Sequence, residues 1–176
     1  MMRLTANLPQ YFNQRDVFQE ALHRTVDHRD WFISIIPPDY ADYVEEHIET
    51  PAPSRTLFLQ FEDTGIENEH TFDDEQARLT ADFIRECARK DANVWVNCIA
   101  GISRSGAIVD ILLRLGWHDL KHNIQEERHP NPIVWTKLAA QFPELKGVSY
   151  PKKDVKTWEA GVYDYLNRRH GPKVGK

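Results

Sequence analysis

Apolar and polar positions alternate along this chain between short compact runs and longer stripes. Trp31-Phe32-Ile33-Ser34-Ile35-Ile36 is rich in β-branched and aromatic residues and stops at Pro37-Pro38, which predicts a strand. Thr56-Leu57-Phe58-Leu59-Gln60-Phe61 predicts a second strand. Val94-Trp95-Val96, running into Asn97, predicts a buried third. Between the last two, Ala77, Phe83, Ile84 and Ala88 mark a helix that ends near Lys90. Thr71, with Asp74 three residues on, has the spacing of a capping box, and Asp73 and Asp74 suit the positive end of the helix dipole. Strand, helix, strand in that order predicts a βαβ crossover and hence a parallel sheet.

After the third strand, Ala107, Ile108, Ile111, Leu112 and Leu115 put an apolar stripe on one helix face. Tyr40, Tyr43, Val44 and Ile48 predict a helix over Asp39 to Ile48, and Tyr11 to His23 holds a shorter pattern compatible with a helix or with irregular chain. Leu120 to Arg128 can form another helix. Val134, Leu138, Ala139 and Phe142 predict the next, and Val155, Trp158, Val162, Tyr163 and Leu166 a terminal amphipathic one. Residues 1–150 are expected to form a single domain. Residues 151–176 would add a helix and a basic tail, with seven Lys or Arg against three acids.

The net charge of -5 leaves no overall nucleic-acid footprint, although the basic tail keeps contact with acidic partners open. The chain has two cysteines, Cys87 and Cys98, too few for a disulfide framework once one is a nucleophile. A reducing, cytoplasmic setting is expected. The first residues lack a signal-peptide core, and no apolar run approaches a membrane span. No metal-ligand cluster with diagnostic spacing occurs, so no cofactor is expected.

The chemistry concentrates between the third strand and its helix. There the sequence reads Cys98-Ile99-Ala100-Gly101-Ile102-Ser103-Arg104-Ser105. A tight loop between a strand and a helix gathers backbone N–H groups around an anion. Gly101 permits the sharp turn. Five residues lie between Cys98 and Arg104, so a cradle-shaped loop brings both to its centre. Loop amides, helix dipole and arginine all favour thiolate over thiol. The Arg104 fork suits two phosphate oxygens, and Ser105 is placed to donate a hydrogen bond to the sulfur. Glu62 and Asp63 follow the second strand, where carboxylates of α/β folds reach an active site.

On these residues the sequence resembles the cysteine-dependent protein phosphatases, and the AGxSRS form is most similar to the dual-specificity branch. Asn97 stands where that family has histidine before the cysteine. The resemblance covers roughly residues 30 to 145. It implies an α/β domain with a central, mostly parallel sheet of about four to five strands flanked by helices. It also implies a site: Cys98 as nucleophile, Arg104 and residues Ile99, Ala100, Gly101, Ile102 and Ser103 around the phosphate, Ser105 assisting thiolate departure. Asp63, 35 residues before Cys98, would be the general acid and base, with Glu62, Asp73 and Asp74 as competitors. The Arg128-His129-Pro130-Asn131-Pro132 stretch is similar to the family's segment before its final helix, and its residues are expected to be structural. The activity implied is phosphomonoester hydrolysis through a phosphocysteine, on phosphorylated protein. The alternatives are a catalytically weak relative that binds phosphorylated partners, and a phosphatase of RNA 5′ ends.

Overall fold

The computed structural model describes residues 3–5, 28–38, 53–98, 101–119, 128–151 and 154–170. Among the described residues five strands form one sheet: β1 (Arg3–Thr5), β2 (Asp30–Ile36), β3 (Thr56–Gln60), β4 (Asn93–Asn97) and β5 (His118–Asp119). Their order is β3-β2-β4-β1-β5, and every pairing is parallel. The α/β class, the parallel sheet and the strand count therefore match expectation. β4 lies at the centre, in register with Trp31↔Val94 and Ile33↔Val96 on one side and Leu4↔Val94 on the other. β2 is buried along both faces, with Ile33 and Ile35 wholly enclosed, as parallel strands in α/β proteins are. β1 and β5 were not expected. Arg3-Leu4-Thr5 and His118-Asp119 are too short and polar to carry a strand pattern.

Helix α1 (Asp74–Arg89) joins β3 to β4 and makes the predicted crossover. Its cap differs from the Thr71–Asp74 expectation. Asp73 is the N-cap: its side chain accepts from Gln76 N at 2.7 Å, and Gln76 Oε1 accepts from Asp73 N at 3.1 Å. Only a Glu or Gln at the third helical position can return the bond in this way, and Gln76 supplies it. Thr71 instead closes a local turn with Asn68. Helix α2 (Arg104–Arg114) follows β4, and Ile108, Ile111 and Leu112 are wholly buried. Each contributes about 1.5–3 kcal/mol by leaving water.

Helix α3 (Pro132–Ala139) packs against both α1 and α2. It is shorter than its apolar pattern, because Phe142 falls in the turn before Pro143 and not on the helix. Helix α4 (Val155–His170) is the expected terminal helix. The stretches read as helical over 11–23 and 39–48 lie outside the described residues, as do residues 120–127 of the one read over 120–128, whose Arg128 is not helical, and the tail at 171–176. Among the described residues no helix is long and apolar enough to cross a membrane.

Candidate active site

Cys98 follows the last residue of β4, so the central strand delivers it to the C-terminal edge of the sheet. Parallel strands all present this edge on the same side, which is where α/β folds gather chemistry. Asn97, just before it, is buried; its Nδ2 donates to Ser34 Oγ on β2 at 3.3 Å. The loop then turns at Gly101, whose φ of 71° is the left-handed region that glycine occupies freely. Ile99 and Ala100 lie outside the described residues. Ile102, Ser103, Arg104 and Ser105 are all buried, and α2 starts at Arg104. Its first N–H groups and its dipole therefore face the loop.

The loop returns to the cysteine at Ser105. Cys98 Sγ and Ser105 Oγ stand 3.1 Å apart, within hydrogen-bond reach for sulfur. Arg104 is anchored through Nη1, which donates to the carbonyl of Phe61 at the end of β3 at 2.9 Å. Its Nε is buried without a hydrogen bond, 3.6 Å from Asp63 Oδ2. The guanidinium is thus ion-paired with Asp63 through an N–H that makes no hydrogen bond.

Asp63 meets the loop from the β3 side. Its Oδ1 accepts from Ser103 Oγ at 2.6 Å and from Asn131 Nδ2 at 2.9 Å. Two donors from separate segments, with the Arg104 guanidinium at ion-pair distance, thus surround one carboxylate, which fixes its position. The competing carboxylates lie elsewhere. Glu62 Oε2 accepts from Asn68 Nδ2 within the following turn, Asp73 caps α1, and Asp74 pairs with Lys137 at 3.6 Å.

Asn131 and His129, expected only as structural residues, border this site. His129 N donates to Ile102 O and Asn131 N donates to Ser103 O, both at 3.1 Å. In a trans peptide the carbonyl and the next N–H point in opposite directions. Drawing these two carbonyls outward therefore turns the N–H groups of Ser103 and Arg104 to the opposite side of the loop. Asn131 also caps α3 through Oδ1, which accepts from Ile133 N and Val134 N. That leaves its amide donors for Asp63 and for the Thr64 carbonyl at 3.0 Å. A serine or aspartate would cap equally well but has no NH₂ to reach across. An asparagine cap before proline, downstream of the loop, was the available signal.

The chain matches no protein-family profile and no curated protein. Among solved structures it is similar to the crystal structure of human tyrosine phosphatase-like serine/threonine/tyrosine-interacting protein. The identity is 20%, over 92% of this chain and 90% of that one, with a TM-score of 0.39.

Proposed function

We propose that this protein hydrolyses phosphomonoesters, with phosphorylated protein as its substrate class and Cys98 as nucleophile. The observation that carries the reading is the meeting of four groups at one edge of the sheet. Cys98 lies against Ser105, Arg104 has a buried unsatisfied Nε, and Asp63 stands beside that nitrogen. Phosphate would sit on the loop amides and the Arg104 fork. Cys98 sulfur forms the bond to phosphorus as the ester P–O bond breaks, and Asp63 gives its proton to the leaving oxygen. Water then attacks the phosphocysteine, returning a proton to Asp63. The S–P bond breaks, and the Ser105 hydroxyl stabilises the departing thiolate. The charge developing on the phosphoryl oxygens meets donors already in place. Exposed Glu67 and Glu69, close in sequence to Asp63, favour a protein ligand over polyanionic RNA.

Hydrolysis of an aryl phosphate in EDTA and reductant tests this. Wild type should turn over and Cys98→Ser should fall to background while still binding tungstate, a phosphate mimic. Arg104→Ala should lose both. Turnover persisting in Cys98→Ser overturns the reading.

Asn97 favours a second reading, a protein that binds phosphorylated partners without turning them over. Its amide is committed to Ser34 and cannot supply the imidazole that the resemblance places beside the nucleophile. On this reading wild type binds a phosphopeptide without hydrolysis, and Asn97→His gains activity. Turnover by wild type as fast as that of Asn97→His would exclude it.

A further inference from the structure

We infer that helix α4 is a strap that seats Asp63, with Trp158 and Gly161 as positioning residues; this rests on the phosphatase reading above. Trp158 is buried and touches both segments that converge on the acid. On one side, the point where a Gly65 side chain would begin lies 2.9 Å from the Trp158 ring and closer still to Val155. Gly65 is two residues beyond Asp63. On the other side, Trp158 Nε1 donates to the carbonyl of His129 at 2.9 Å. His129 is two residues before Asn131, whose amide holds Asp63. One turn further along α4, Gly161 lies flat against the His129 imidazole, and a methyl group there would overlap the ring.

The helix therefore closes a loop of contacts. It presses on the turn behind Asp63, it holds the His129–Asn131 segment against Ile102 and Ser103, and that segment in turn grips the Asp63 carboxylate. Both glycines are needed for the fit, since a Cβ at either meets heavy atoms at less than van der Waals distance. Two such close approaches on one helix face indicate a seated element. A misplacement of about 1 Å at a proton donor is enough to cost rate. Loss of the strap should therefore damage acid catalysis and leave phosphate binding and nucleophilic attack in place.

The test is Gly161→Ala in the full chain, beside Trp158→Phe. Alanine raises intrinsic helix propensity, so α4 itself is not weakened. Two readouts are taken. Amide exchange should quicken at residues 62–66 and 129–131 and stay unchanged in β2 and β4. Turnover of phenyl phosphate, a poor leaving group, should fall at least ~10-fold while that of dinitrophenyl phosphate changes little, as in Asp63→Asn. Trp158→Phe removes the N–H that holds the His129 carbonyl and part of the ring that packs on Gly65, so it should show the same selectivity. Unchanged exchange in both variants overturns the strap. Quickened exchange with equal losses on both esters overturns its role in seating the acid. Absence of all turnover in wild type overturns the phosphatase reading instead, and the exchange comparison then decides the strap alone.

Discussion

Cys87 and Cys98 are both buried, yet their surroundings assign them opposite work. Cys98 follows a strand and faces the hydroxyl of Ser105 in the first turn of a helix. Cys87 sits inside the core, where burial pushes its thiol up to about 12 from the ordinary 9.0. The folded chain therefore holds a proton there that the unfolded chain releases, so stability falls as pH rises through the window between those values. Cys87→Ala should flatten that fall. Urea midpoints at about pH 8 and about pH 10 would show it as a smaller drop than in wild type. An equal drop would assign the alkaline loss to other groups. The same contrast explains why single residues were legible unevenly. Cys98, Arg104 and Ser105 announce themselves by spacing. Asn131 does not, because its role depends on a capping geometry that leaves its NH₂ group free to reach a carboxylate 68 residues away.

At the scale of elements, hydrophobic period located β2, β3, β4, α1 and α2 to within a residue or two. Their cores are long enough to repeat. It failed where pairing rather than pattern makes the element: β1 and β5 are strands only because β4 and β1 offer them an edge. The start of α1 shows a finer limit. Two overlapping polar spacings competed, and reciprocity at Gln76 decided for Asp73. Asp73→Ala should consequently cost about 1 kcal/mol, and Thr71→Ala, which breaks only the Asn68 turn, should cost less. Thermal melts of the two variants give the comparison. A larger loss in Thr71→Ala would move the cap back to the earlier position. Neither substitution should alter the leaving-group dependence of turnover, since neither side chain touches Asp63.

Across the whole molecule, the reading of a parallel α/β sheet with its chemistry at the C-terminal edge followed from one crossover and one loop. What it could not contain was the way distant segments close on Asp63. Asp63, Ser103, Asn131 and Trp158 lie far apart in sequence and have no shared pattern, and only packing brings them together.

The central place of β4 also has a consequence in time. About ninety residues separate Leu4 from its partner Val94, so on a growing chain β1 waits on the order of ten seconds for its neighbour to emerge. Until then β2 and β3 can pair, but nothing joins them to β1. The strand that joins β2 to β1 is the one that Cys98 follows. A ribosome-bound fragment that stops short of it has neither a sheet joined across its centre nor Cys98, so the loop that follows β4 takes shape only as the two parts of the sheet are joined.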